Sequence, residues 1–136
     1  MSHLLEKKVQ DVAINEFLAL TASDIPFIDS SHVAKTGSDV VHLFLEVLPL
    51  LRPGVLVHVH DVFLPSDYPK EWVLEQNRSW NEQYLLHALL IHSSRFRVLF
   101  GSTYAAQCHG EKVIKALARA DGHGMSGGSF WIEVVG

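Results

Sequence analysis

The chain is poor in cysteine, with Cys108 the only one in its 136 residues. An internal disulfide is therefore excluded, which fits a reducing compartment such as the cytoplasm. No apolar run approaches the roughly 20 residues that span a bilayer. The N-terminal MSHLLEKKVQD also lacks the apolar segment of a signal peptide. We therefore expect a cytoplasmic protein that does not enter membranes.

Blocks of basic residues are absent as well. Lysine and arginine number 11 against 15 aspartates and glutamates, which gives a net charge of −4 with neutral histidine. Nucleic-acid-binding domains carry basic patches, so we expect no nucleic-acid partner. What the chain does contain is a 48% apolar share and nine histidines. A single domain over residues 1–136 can bury its own core at this length.

Helix and strand patterns alternate along the chain. Helical spacing of apolar residues predicts helices over 13–21, 39–51, 81–93 and 104–119. In the third helix one face is predicted to carry Tyr84, Leu85, Ala88, Leu89 and His92. Strands are predicted over 25–28, 55–63, 96–102 and 130–135, with an extended piece at 7–12 and loops at 64–72 and 123–129. The nearly continuous apolar start of 55–63 is typical of a strand buried on both faces.

This alternation predicts an α/β fold. Strand–helix–strand order indicates a partial doubly wound, Rossmann-like sheet, mainly parallel, with 130–135 as a C-terminal antiparallel strand. The strand around Ile25–Asp29 is expected at an edge, because Pro26 cannot donate a hydrogen bond to a neighbouring strand. An open strand edge invites further pairing. We therefore expect a homodimer, or another partner that covers the edge strand at Ile25–Asp29.

Several motifs, in the expected order, resemble one family. FIDSSHVAKTGSDV, VLPLLRPGVLVHVHDVFLPSDYPKEWV and NRSWNEQYLL are similar to the C-terminal part of class I S-adenosylmethionine-dependent methyltransferases, and GGSFWIEV resembles their last strand. The resemblance runs from about Lys7 to about Tyr104 and implies strands four to seven of a seven-stranded sheet.

In that family the glycine-rich cofactor turn and the acidic residue after the second strand lie upstream of these motifs, and no such turn is found here. The resemblance thus implies the acceptor-substrate half of a small-molecule methyltransferase. We expect this half to be inactive alone, and to use S-adenosylmethionine only if a missing half is supplied.

Polar residues gather at the predicted carboxyl ends of two strands. Asp29 and His32 follow the first strand, and His60 and Asp61 end the second. Ligands bind at this rim in doubly wound sheets, and alternation along a strand is expected to point Asp61 away from His58 and His60. Metal ligation, acid/base work without a metal, and an inert polar rim all remain open. We predict catalytic roles for His32, His60 and Asp61.

The resemblance adds a metal hypothesis at the same rim. Metal-dependent O-methyltransferases of this class hold magnesium with an acid after strand four and a pair of residues after strand five. Those positions here are Asp29, His60 and Asp61. An imidazole at His60 in place of a carboxylate favours a softer divalent ion than magnesium, or no metal at all.

The loop that follows the second strand is a candidate substrate wall. Loops after strands carry function on this architecture, so Tyr68 and Trp72 are predicted to bind a small-molecule acceptor. Packing on the domain is the alternative for both, and it is the favoured one for Trp72. Asn77 or Ser79 is interpreted as the cap of the next helix, with Glu82 in its first turn. Two other functions stay open: a non-catalytic dimerisation module, and a metal-dependent hydrolase that uses His58, His60 and Asp61.

Overall fold

The structure is a computed structural model that describes residues 4–117 and 127–136. Within these ranges the helices are α1 (Ile14–Leu18), α2 (39–50), α3 (Lys70–Leu74), α4 (Glu82–Leu90) and α5 (Ser102–Leu117). The strands are β1 (Phe27–Ile28), β2 (Leu56–His60), β3 (Phe96–Gly101) and β4 (Ser129–Val134). A short 3-10 turn, Val9–Asp11, precedes α1.

Helix α2 changes its winding along its length. It begins as an α-helix over Asp39–His42, widens to a π-helix over Leu43–Val47 and tightens to a 3-10 helix over Leu48–Leu50. The Ser38 side chain caps its first turn by accepting a hydrogen bond from the Val41 N–H. Pro49 has no N–H to donate, which is consistent with the loss of regular winding near the end of the helix.

The sheet is mixed, with the strand order β1-β2-β4-β3. β1 pairs with β2 in parallel, whereas β4 pairs antiparallel with both β2 and β3. The predicted α/β class is confirmed, but a mainly parallel doubly wound sheet is not, because one of the three described pairings is parallel. The reason is that β4 inserts between β2 and β3, which would otherwise be parallel neighbours.

One face of the sheet carries the core. Val57 and Val59 of β2 are fully buried and belong to one apolar cluster with Phe44 of α2 and Leu86 of α4. The alternate residues of β2, among them His58 and His60, are only partly buried. The prediction that this strand is buried on both faces is therefore wrong. Among the described residues, the face of β2 that carries His58 and His60 is less completely buried than the face that carries Val57 and Val59.

The predicted helix over 81–93 is shorter and turned relative to the expected face. It ends at Leu90, and its buried side chains are Glu82, Gln83 and Leu86, whereas Tyr84 is exposed. Leu85 and Leu89 of the predicted face do pack against the core, partly buried, whereas Tyr84 and His92 are exposed. The fully buried polar side chains of the helix are those of Glu82 and Gln83.

Smaller differences concern the element ends. The extended piece predicted at 7–12 is the 3-10 turn, and the loop predicted at 64–72 runs into α3. The first strand is reduced to two residues, Phe27 and Ile28. Residues 118–119 of the predicted fourth helix and 123–126 of the predicted loop lie outside the described residues. In the described ranges no helix has the length and apolar character needed to cross a membrane.

Candidate functional site

The rim of the sheet is set by the pairing of β1 with β2. Phe27 lies beside His58 and Ile28 beside Val59, so the next residues of the two strands, Asp29 and His60, emerge as neighbours. The His60 Nδ1 lies 3.8 Å from an Asp29 carboxylate oxygen. Adjacent parallel strand ends therefore bring these two predicted site residues together.

His32 and Asp61 join the same cluster. The His32 Nε2 lies 3.5 Å from Asp29 Oδ1 and 3.9 Å from Asp61 Oδ2. Asp61 also approaches His60, with 3.3 Å between its Oδ1 and the His60 Nδ1. The four rim residues, Asp29, His32, His60 and Asp61, are thus all within ion-pair reach of another member.

Asp61 reaches His60 because it does not continue the strand. β2 ends at His60, and Asp61 adopts a left-handed backbone with φ +57°. The expectation that its side chain points away from His60 is therefore wrong. The turn is held by Gly128, whose carbonyl accepts from the Val62 N–H at 3.0 Å. A Cβ added to Gly128 would lie 2.5 Å from the Asp61 Cα.

His32 is buried and held by a carboxylate. Its Nδ1 lies 2.8 Å from Glu82 Oε2, and Glu82 itself is 1% exposed. The Ser30 hydroxyl donates to the other Glu82 oxygen at 2.7 Å and accepts from the His32 backbone N–H at 2.9 Å. His32 also has a left-handed backbone, φ +58°, a conformation that costs a non-glycine residue roughly 1–3 kcal/mol.

Glu82 reaches His32 because the start of α4 is tied to the loop after β1. The His32 carbonyl accepts from the backbone N–H groups of Asn81 and Glu82, and the Asn81 side chain accepts from the Ala34 N–H at 2.6 Å. The interpretation of Glu82 as a residue of the first turn of a capped helix missed this contact. The signal available in the sequence was its place one turn before Leu86, on the buried face of the helix.

The protonation of this pair follows from its surroundings. Burial raises the pKa of Glu82, while the hydrogen bonds from Ser30 and His32 act in the opposite direction. An ionised Glu82 can only accept, so the His32 Nδ1 then carries the proton. The Nε2 is left with its lone pair directed at the rim. Among the described residues no hydrogen bond to this Nε2 is found.

His58 belongs to a different cluster. Its Nε2 lies 2.8 Å from the Ser129 hydroxyl, and its ring stacks on Trp131 at 4.3 Å between centroids. Burial lowers the pKa of His58, and the neighbouring His60 adds to this shift. In the described part of the chain no ion pair joins His58 to Asp61, so the contacts do not favour the hydrolase hypothesis.

Tyr68 and Trp72 form part of an aromatic wall beside the rim. Both pack against Trp80, and Trp80 lies 4.0 Å from the His32 ring between centroids. The buried Tyr68 hydroxyl accepts from the Gln83 N–H at 3.1 Å, and burial raises its pKa to about 12. Trp80, which sequence reasoning did not single out, is the residue that connects this wall to His32.

The rim residues and the turn before α2 have limited capacity to hold a metal ion or the methyl donor. Across residues 4–117 and 127–136, no group of three or more His, Cys, Asp or Glu side chains is arranged to hold a metal ion. The turn before α2 contains Gly37 at φ +71°, but a Cβ there would meet no atom within 4 Å, so it is no close-fitting cradle. Gly37 and the turn around it therefore do not by themselves fit S-adenosylmethionine. The metal ligands remain a prediction.

Residues 1–62 match a protein family described as "Methyltransferase domain". The matched segment includes β1, α2, β2 and the four rim residues. No curated protein and no solved structure matches the chain. Over residues 1–62, which are less than half of the chain, the family match confirms the predicted resemblance to methyltransferases, and it supports a methyltransferase-related function.

Proposed function

We propose that this chain is the acceptor-substrate half of an S-adenosylmethionine-dependent small-molecule methyltransferase. In this proposal His32 removes the proton from an acceptor hydroxyl, and Glu82 positions the imidazole. The observation that carries it is the buried His32–Glu82 pair, with Nε2 facing the rim. The family match over residues 1–62 supports the reaction class.

The proton transfer uses both nitrogens of His32. The acceptor hydroxyl gives its proton to Nε2, and Nδ1–H keeps its hydrogen bond to Glu82, 2.8 Å away. The imidazolium that forms is stabilised by Glu82 on one side and by Asp29 and Asp61 on the other. S-adenosylmethionine, when bound, would supply the methyl group, and the rim residues would act on the acceptor alone.

His60 and Asp61 complete the acceptor side. Asp61 lies 3.9 Å from the His32 Nε2, and His60 lies 3.3 Å from Asp61. Both can hold the acceptor hydroxyl by hydrogen bonds in the orientation that proton transfer requires. A divalent ion held by Asp29, His60 and Asp61 is a separate proposal that follows from the resemblance alone, because these side chains are not arranged as a metal site in the described residues. Elemental analysis after dialysis against manganese or zinc tests for it, because stoichiometric metal that disappears in Asp61→Asn would support ligation.

The pair can be tested without knowing the acceptor. Heteronuclear NMR of the histidine side chains reports which ring nitrogen is protonated, and we expect Nδ1–H in the neutral imidazole of His32. Glu82→Gln should lose this preference, whereas Glu46→Gln, which breaks the exposed His42–Glu46 pair, should not affect His32. A wild-type His32 protonated at Nε2 alone would contradict the base role.

The half-domain part of the proposal predicts weak cofactor binding. Gly37, in the turn between β1 and α2, has open space around it rather than a close-fitting surface, so we expect calorimetry on the 136-residue chain to show no tight S-adenosylmethionine binding. Saturable binding in the micromolar range would contradict this part and leave the base role untouched.

The same proposal gives the open edge of β1 a role. Ile25 and Phe27 are 52% and 57% exposed, and β1 has β2 as its described strand neighbour. We propose that the isolated chain forms a homodimer through this edge, as a substitute for the strands of the cofactor half.

Light scattering tests the edge. Ile25→Lys should give a monomer, because a lysine there opposes edge-to-edge pairing. The matched control is Val98→Lys, which changes a residue of similar exposure on β3, the other edge strand. A wild-type monomer, or a dimer lost in Val98→Lys alone, would contradict the assignment.

A further inference from the structure

We propose that the acceptor carries an anionic group, a carboxylate or a phosphate, which binds the guanidinium of Arg78. The inference rests on the proposed function, since it assigns a substrate class to the same site. It draws on the contacts of Arg78, Trp72 and Trp80, which the base mechanism leaves without a role.

Arg78 is held between two indole rings. Its Cζ lies 4.1 Å from the centre of the Trp72 ring and 4.6 Å from that of Trp80. The two rings are nearly perpendicular, 78° apart, with 5.1 Å between centroids. Cation–π attraction to both rings orients the guanidinium before any ligand arrives.

The hydrogen-bond donors of Arg78 are not used by the described residues. Its side chain makes no ion pair with the carboxylates of the described ranges, in contrast to Arg97, which pairs with Glu133. Arg95 donates to the Leu51 and Gly136 carbonyls. A guanidinium with free donors matches the two oxygens of a carboxylate or phosphate. Arg78 is thus a partly buried arginine that two indole rings orient and whose side-chain donors are available to an anionic ligand.

Trp80 places this donor next to the base. The Trp80 ring contacts both the Arg78 guanidinium, whose Cζ is 4.6 Å from its centre, and the His32 ring, 4.0 Å away between centroids. Around His32 Nε2 the charges are negative, because Asp29 and Asp61 lie there. An acceptor with an anionic end is repelled from the rim and attracted to Arg78. Its hydroxyl end is thereby directed to His32.

Calorimetric titration of the full chain with para-hydroxybenzoate and its neutral amide, para-hydroxybenzamide, tests the inference. Charge-assisted pairing predicts that the carboxylate binds about tenfold tighter than the amide. Arg78→Gln should abolish this preference, and Arg52→Gln, at an exposed arginine outside the aromatic wall, should keep it. Arg78→Lys keeps the positive charge but loses the paired guanidinium donors, so its preference for the carboxylate should lie between those of the two glutamine variants. Inorganic phosphate should compete if the site takes either anion.

The outcomes separate this inference from the base mechanism. Equal binding of acid and amide, no saturable binding of the acid, or a preference that survives in a folded Arg78→Gln variant would each overturn it. Failure of the base mechanism would instead appear as the wrong tautomer at His32, with the carboxylate preference intact. Circular dichroism melts of each variant establish that the comparison is made on folded protein.

Discussion

Replacing Glu82 by glutamine tests the central contact of the site through stability. The wild-type carboxylate accepts one hydrogen bond from Ser30 at 2.7 Å and pairs with His32 Nδ1 at 2.8 Å. A glutamine side chain has one acceptor oxygen and a donor amide, so it cannot accept from both in the same way. Either the Ser30 hydroxyl or the His32 Nδ1 then loses its hydrogen-bond acceptor, or His32 must change its tautomer.

The expected cost is about 1–3 kcal/mol in the free energy of unfolding, since an unsatisfied buried partner costs this much. For a chain of this size that is a drop of roughly 3–10 °C in melting temperature. The matched control is Glu46→Gln, which removes the carboxylate of a His–Glu pair at the surface. We expect that change to cost less than about 0.5 kcal/mol. Urea unfolding of both variants measures the difference.

The pH dependence of the same experiment has a definite sign. Burial raises the pKa of Glu82 above its ordinary 4.5, so the folded state favours the protonated form. The stability linked to this shift is fully present below pH 4.5 and is lost as pH rises through the folded-state pKa. The advantage of wild type over Glu82→Gln should therefore shrink across that window. An advantage that grows with pH would refute the reasoning, because ion pairing would then outweigh burial.

Three further changes test other parts of the site. Gly128→Ala should destabilise the chain by about 1–3 kcal/mol, because its Cβ would lie 2.5 Å from the Asp61 Cα, whereas Gly127→Ala meets open space; thermal melts should show no loss for the control. In His58→Gln the free energy of unfolding should fall less as pH is lowered than it does in wild type. Burial lowers the pKa of His58 from 6.5, so its stabilisation is present above pH 6.5 and lost as pH falls through the folded pKa. Tyr68→Phe should cost about 1–2 kcal/mol in urea unfolding, since the Gln83 N–H loses its acceptor; an unchanged midpoint would mean that water replaces the hydroxyl.

The convergence of the rim residues could be predicted from the sequence. Asp29 and His60 follow apolar runs that read as strands, and parallel neighbours end at the same edge of a sheet. The structure pairs these strands in the register that the argument requires. Local patterns were sufficient here because the strand period and the order of elements determine where each polar residue emerges.

The same patterns could not assign the face of α4 or the order of the sheet. Glu82 reads equally well as a residue of the first helical turn, and its contact with His32 joins positions 50 residues apart. The insertion of β4 between β2 and β3 depends on long-range pairing that no period of 2 or 3.6 residues encodes.

The sequence by itself determined the alternation of helices and strands, the polar rim after β1 and β2, and the resemblance to methyltransferases. The tertiary structure alone decided that Asp61 turns back toward His60 and that the imidazole of His32 rests on Glu82. The physical reason is that periodicity acts between neighbours along the chain. The burial and pairing of a charged side chain depend instead on what distant segments place against it.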